Sequence, residues 1–464
     1  MDVGFETIGN ATIICHDSRP VLVTDPWVQG SAYFGSWKLS HEVPPEQLQA
    51  VKDAEYVWFS HGHPDHLNGD SLPLFQGKKI LLPDHQGRRI LTDLTMQGFH
   101  VRLLPDRTWV PLSRRIRVMC VPDYNQDAVL LIEVNGRLVF DQNDAGPRGW
   151  GRFVQDVIRK SKVTYMLSLA GYGDADMLNY FDESGRRLQP PGAARPPLGQ
   201  TVAARADAFG ARYFIPFSAM HRYQRSDSAW AGEYSASLED WKRGWNSKKC
   251  ELLPAFVRVD CERDTVEEIR PKETPDEVKP PESFGDSWAE RLEGDEPKKL
   301  EAYFKRVEKL STVMDFITFK VGGQEHHITF NPRGTYKKGL TFEVPRNSLM
   351  QSVEWKVFDD LLIGNFMKCT LHGDWGPLRL YPDFTPWIAK YADNGQACTL
   401  KELEAYFSAY KKRDPLGYVR DQFESNVLRP FQESAADALR SRLGGDSPLF
   451  RAAKKTYWTL RGRA

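Results

Sequence analysis

The sequence has no charge of one sign in excess: its 464 residues carry 62 Lys plus Arg against 62 Asp plus Glu, a formal net charge of zero. No field spread over the whole chain draws it to nucleic acid or to an anionic membrane surface. It also lacks any run approaching the roughly 18 consecutive apolar residues of a membrane span, and MDVGFETIGNATIIC has no basic region ahead of an apolar stretch. We therefore expect a soluble, cytoplasmic protein with no nucleic acid among its partners and no membrane span. Cysteine is scarce and scattered. Cys15, Cys120, Cys250, Cys261, Cys369 and Cys398 form no CxxC or CxH pair, which argues against a cysteine zinc module or an iron–sulfur cluster on these residues. Buried reduced thiols are the expectation.

Aromatics, in contrast, are plentiful at 12%, with 13 Trp, as suits a well-packed protein of several units. Over the first 260 residues short apolar runs alternate with turn residues. FETIGNATIIC, RPVLVTDPW, AEYVWFSH, KKILLPD, HVRLLP, IRVMCVPD, AVLLIEV and RLVFDQND read as strands, the last two joined at Asn135-Gly136. Residues 45 to 53, 86 to 97 and 150 to 160 carry helical spacing. This mixture predicts an α/β sandwich, two sheets with helices outside, over residues 1–260. The Pro-rich stretch LQPPGAARPPLG predicts a long surface loop or lid. Residues 261–300, dominated by charge and proline, predict a linker or wrapping arm. Residues 301–464 predict a smaller carboxy-terminal α+β domain, with a hairpin at Gly322-Gly323 and a helical tail.

The stretch FSHGHPDHLNGDSL places His61, His63, Asp65 and His66 within six positions, directly after the apolar run Val57-Trp58-Phe59. With 11 histidines in the chain, the pattern H-x-H-x-D-H arises by chance roughly once in a few thousand such chains. A random surface cluster is the weaker reading. Imidazole nitrogens and carboxylate oxygens converging from a rigid frame are what a divalent transition metal requires. His61 and His63 can share one ion; Asp65 and His66 can hold a second beside it. A metal pair needs a bridging oxygen and further ligands, and the candidates at later strand ends are Asp123 and Asp127 in VPDYNQDA, Asp141 and Asp144 in FDQNDAG, and His221 in FIPFSAMH. Asp174 and Asp176 are expected in a solvated loop.

H-x-H-x-D-H after an apolar strand resembles the signature of the metallo-β-lactamase superfamily, and IGNATIIC followed by VLVTDPW resembles its opening hairpin and DP turn. DPWVQGSAYFGSWKLSHEVP, WFSHGHPDHLNGDSL, EVNGRLVFDQND, FIPFSAM and, far downstream, VEWKVFDDLLIGNF with YPDF look like the catalytic portion of CMP-N-acetylneuraminate hydroxylases. The resemblance implies an αββα sandwich and a two-metal site. In it His61 and His63 would bind the first metal, Asp65, His66 and His221 the second, and Asp144 would bridge. Asp25 of the DP turn would orient a ligand histidine. The first metal's third ligand is where this chain departs: many relatives have histidine, and here Asp123 or Asp127 must serve. A carboxylate there hardens the site and favours iron, with zinc or manganese as other choices.

Trp27 and Tyr33 follow the site entrance in related folds and are candidates for stacking on a substrate. Arg222 and Arg225 are candidates for a phosphate. The resemblance also implies a departure in electron supply, because the sialic-acid hydroxylases carry a Rieske module that this chain's cysteines cannot hold. The leading expectation is a di-iron oxygenase hydroxylating a polar, nucleotide-linked small molecule, fed by a separate ferredoxin or Rieske protein, with Asp65 and Asp144 at the reacting centre. The alternative is a hydrolase of a phosphoester, amide or lactone that uses a metal-bridging hydroxide.

Overall fold

Strand Val3–Ile8 is buried along its whole length, which requires cover on both faces of its sheet. In this computed structural model, describing residues 1–423 except 147, 170, 173–177, 191, 192, 194, 195, 377 and 382, the cover is a second sheet on one side and helices on the other. The first sheet has eight strands, in the order Thr265–Glu268, Val257–Asp260, Val3–Ile8, Thr12–Asp17, Pro20–Thr24, Tyr56–Trp58, Lys79–Pro83 and His100–Leu104. The second has seven, in the order Glu251–Leu252, Tyr213–Pro216, Thr164–Ser168, Arg137–Asn143, Ala128–Val134, Ile116–Pro122 and Val110–Pro111.

Alternation along each strand assigns its residues to layers. Leu130 and Ile132 face inward, joining Val3, Phe5, Cys15 and Trp58 of the first sheet in the core between the sheets. Val129 and Leu131 face outward and pack with Val154 and Ile158 of helix Gly151–Ile158 and Val202 and Ala206 of helix Leu198–Phe209. On the far side, Val23, Val57 and Ile80 pack under Val51 of helix Pro45–Asp53 and Leu94 of helix Arg89–Met96. This is the αββα sandwich expected. The Asn135-Gly136 and Gly322-Gly323 turns have positive φ at both residues, 48° and 78°, then 55° and 76°, as two-residue hairpins need.

The acidic, Pro-rich stretch after residue 260 is not wholly irregular. Thr265–Glu268 pairs with Val257–Asp260 at the sheet edge, because a strand exposed at an edge tolerates charged side chains on its open face. Beyond it the chain bridges His41 to Glu273 and Arg225 to Lys279, wrapping the sandwich. The downstream sheet contains Lys368–His372, Gly339–Glu343, Phe316–Val321 and Gln324–Thr329, and it takes its first strand, Tyr180–Phe181, from the earlier half of the chain. Helices Leu400–Arg413 and Pro415–Phe423 follow; the rest of the expected helical tail, like Asp174 and Asp176, lies outside the described residues. Among the described residues no helix is long and apolar enough to cross a membrane.

Candidate metal centre

Strands Pro20–Thr24, Tyr56–Trp58 and Lys79–Pro83 run parallel, and the histidine segment leaves the sheet at the carboxyl end of the middle one. Backbone bonds from His66 N and Leu67 N to His63 O, at 3.0 and 2.8 Å, close a tight turn. All three imidazoles are buried in it. Each has one nitrogen tied from behind. His61 Nδ1 lies 2.8 Å from Ser60 Oγ, His63 Nε2 2.9 Å from Asp359 Oδ2, and His66 Nδ1 3.1 Å from Asp25 Oδ2.

The other nitrogens converge. His61 Nε2 is 2.8 Å from His63 Nδ1 and 3.9 Å from Asp144 Oδ2; His66 Nε2 is 3.4 Å from the same Asp144 oxygen and 3.3 Å from Asp65 Oδ2. Asp144 reaches this point because strand Arg137–Asn143 breaks register against Thr164–Ser168 between Asp141 and Asn143, with Asn143 at φ 53°. Such a break re-aims the residue that follows. Asp25, fully buried, accepts from Ser60 N and Ser60 Oγ at 2.7 Å each and from Asn143 Nδ2 at 2.5 Å. One carboxylate thus fixes the histidine turn to the strand that carries Asp144.

Asp65 is fixed from the opposite side. Tyr33 donates its hydroxyl to Oδ1, and Asn10 Nδ2 donates to Oδ2 at 2.9 Å. Tyr33 and Phe34 both sit at positive φ, 54° and 55°, a conformation that costs non-glycine residues about 1–3 kcal/mol each and collects at functional sites. His221 lies on the short strand His221–Tyr223, paired with Trp37–Leu39, and stacks on Trp37 at 3.4 Å between ring centres. Burial pushes its pKa down to about 4, with Asp65 the charge that opposes the shift. That leaves a neutral imidazole, the form suited to ligation.

The electrostatics separate the two ends of the cluster. Burial, followed by the neighbouring His66 and His63, drives His61 well below the ordinary histidine value. Burial alone would do the same to His66, but Asp65, Asp144 and Asp25 hold it well above that value. Nδ1 of His221 and Oδ1 of Asp144 are buried without a hydrogen-bond partner. Unpaired buried donors and acceptors are costly unless something binds them. His61, His63 and Asp144 offer donor atoms all within 4.8 Å of one another, and the residues fit divalent metal ions.

Several other expected residues have partners of their own. Asp123, like His221, is outside the donor groups that gather within 4.8 Å around His61 and His63 among the described residues, and its Oδ2 is buried without a hydrogen-bond partner. Its Oδ1 caps its own turn, accepting from Asn125 N at 2.8 Å and Asp127 N at 3.3 Å, while Asp127 lies 3.6 Å from the buried ammonium of Lys390. Trp27 is fully buried among apolar neighbours. Arg222 pairs with Glu273 and donates to Thr274 O at 2.8 Å. Arg225 is buried between Asp227 and Asp286 at 2.9 and 2.7 Å, so neither guanidinium points a free fork at the centre.

What the sequence reading missed is the acidic pair Asp359-Asp360, on helix Phe358–Gly364. Both are buried, and their carboxylates lie within 4.8 Å of His63 and of each other. Burial works against both charges. His63 and Lys390 nevertheless hold Asp359 down to about 2, while burial and Asp359 together push Asp360 well above the usual carboxylate range. The available signal was two consecutive carboxylates inside the apolar run VFDDLLIGNF, where solvation cannot be their reason.

No family model matches the chain. Over 180 residues it is 26% identical to the cytidine monophosphate-N-acetylneuraminic acid hydroxylase of Macaca mulatta, a stretch covering 36% of this chain and 30% of that protein. Against the same hydroxylase of Asterias rubens it is 27% identical over 143 residues, 28% of this chain and 22% of that one. The matched stretches therefore span less than a third of these relatives. Among solved structures, a diiron beta-hydroxylase from Streptomyces venezuelae aligns with a TM-score of 0.34 and 14% identity, covering 56% of this chain and 54% of that one. An isothiocyanate hydrolase from Delia radicum gut bacteria aligns with the same TM-score and identity, covering 55% and 98%. Superpositions at that level assign no chemistry. The chain thus combines an αββα sandwich and a buried histidine turn with sequence similarity to the CMP-N-acetylneuraminic acid hydroxylases over 36% of its length.

Proposed function

We propose that the chain is a dinuclear non-heme iron oxygenase that hydroxylates a polar, nucleotide-linked small molecule. The observation that carries the reading is the donor set: nitrogens of His61, His63 and His66 turned inward around Asp65 and Asp144. Imidazoles combined with carboxylates are a ligand set that iron accepts. The similarity to named hydroxylases over about a third of the chain points the same way. His61, His63 and Asp144 would hold the first ion, and Asp65, His66 and His221 the second, with Asp144 shared.

A bound iron pair would supply the redox chemistry that activates dioxygen. The chain's own residues do the rest. Asp25 and Ser60 fix which nitrogens of His66 and His61 face inward, by hydrogen bonds to the other nitrogen of each ring. Tyr33 and Asn10 hold Asp65 in one orientation, and burial of the histidines keeps bulk water from the centre. Electrons would come from a separate ferredoxin or Rieske protein.

Protein purified without added metal tests the reading through its metal content, Mössbauer spectrum and oxygen consumption on reduction. Two irons per chain that consume oxygen when reduced are expected. A stoichiometric zinc pair, inert to reductant and oxygen but cleaving phosphoester or lactone substrates, would replace it with the hydrolase reading.

A further inference from the structure

We infer that Asp359, from the downstream half of the chain, is a positioning residue of the metal centre: it accepts the Nε2 proton of His63 and so turns the Nδ1 lone pair toward His61 and Asp144. The inference rests on the reading of the His61–His66 turn as a metal centre, and it holds for oxygenase and hydrolase alike.

A carboxylate can only accept a hydrogen bond, so an imidazole nitrogen 2.9 Å from Asp359 Oδ2 carries the proton. An imidazole that binds a metal is neutral, so Nδ1 of the same ring is then the lone-pair nitrogen. It is also the nitrogen that faces Nε2 of His61, at 2.8 Å. The arrangement repeats what Asp25 does for His66 and Ser60 for His61. Each histidine thus has one nitrogen bound by the protein and one turned inward, and for His63 alone the binding group comes from 296 residues away.

Asp359 is held firmly enough for this task. Its helix, Phe358–Gly364, buries Phe358, Leu361 and Leu362 in the core of the downstream sheet. The other end is tied to the centre's own supports. Ser36 Oγ donates to Gly364 O at 2.6 Å, beside the strained loop that carries Tyr33, and Asn365 Nδ2 donates to Tyr223 Oη at 3.0 Å, on the strand that carries His221. Outer carboxylate partners of ligating histidines fix ring orientation and raise basicity, and their loss costs about 10–100-fold in metal affinity.

Cobalt(II) titration of the full-length protein, followed by its visible ligand-field absorption and by equilibrium dialysis, tests the assignment. Wild type is expected to take two ions. Asp359→Ala should still take two at saturation, with one bound about 10–100-fold more weakly and its absorption bands shifted. Asp359→Asn keeps the shape and an accepting oxygen and should fall between the two. Unchanged affinity and bands in Asp359→Ala, with a wild-type melting curve, would overturn the inference. So would complete loss of one ion from folded Asp359→Asn at saturating cobalt, since that would make Asp359 a direct ligand. A wild-type chain that takes up no cobalt would overturn the metal-centre reading itself and the inference with it.

Discussion

His66 and His63 lie three residues apart and are oriented by the same device, yet the two carboxylates come from different parts of the molecule. Asp25 reaches His66 from the turn after strand Pro20–Thr24, inside the sandwich that also supplies the ring. Asp359 reaches His63 from a helix whose apolar face belongs to another core. The sandwich therefore holds one end of the centre with its own residues and shares the other end with the downstream unit. The general lesson is that a compact ligand motif need not imply a self-contained site.

The largest expected effect comes from removing the element both ends share. His61→Ala should abolish tight binding of the first ion and reduce activity to background, read by metal analysis of the purified variant; a variant with full metal and full turnover would remove this turn from the centre. Next is the seam between the two units. Arg225 and Asp286 are fully buried partners, and Asp286 also accepts from Ser348 N and Ser348 Oγ at 2.9 and 2.6 Å. Breaking such a pair leaves a charge buried alone, so Arg225→Ala should cost about 3–5 kcal/mol in urea denaturation and loosen the downstream end of the centre before the sandwich end.

Asp25→Asn sharpens the comparison directly. It should weaken the second ion about 10–100-fold, measured against Asp359→Ala on the first; equal effects of both variants on both ions would mean that the centre responds as one body. The smallest effect is expected at Asp123. Burial, reinforced by Asp127, pushes its carboxyl up to about 8, against about 4 in an unfolded chain. Between those values the folded protein keeps a proton that the unfolded chain has released, so this residue's contribution to stability is present at low pH and lost as pH rises through about 8. Asp123→Asn stays neutral throughout. Its stability relative to wild type should grow from pH 5 to pH 8 with metal content unchanged, whereas a fall in metal content would return Asp123 to the ligand set.

Much of the fold is legible in the chain because its causes are local. The double burial of Val3–Ile8, the opposite faces of Leu130 and Val129, and the Asn135-Gly136 turn all follow from short-range pattern. The clustering of His61, His63, Asp65 and His66 is legible for the same reason; Asp144 and His221 stand out as polar residues at strand ends, and Asp25 only through the resemblance of its DP turn. Asp359 is not. Its partner is separated by 296 positions, and sequence spacing carries no information about which core a helix will join.

The arginines mislead for another reason. Next to His221 they read as a fork for phosphate, but strand alternation turns Arg222 outward to Glu273 and the following turn buries Arg225 against Asp286. Tyr33 reads as an aromatic platform, yet its hydroxyl is spoken for by Asp65. Its backbone strain, invisible in composition, is what marks it.

The two-residue strand Tyr180–Phe181 closes the edge of the downstream sheet, pairing with Cys369 and Thr370 of Lys368–His372. A fragment beginning near residue 300 would lack it and present Lys368–His372 as an open ladder of amide and carbonyl groups. Expressed alone, that fragment should recruit strands from other copies of itself and aggregate. The boundary that matters for dissecting this protein into pieces thus lies ahead of residue 180, well inside what looks like the other domain.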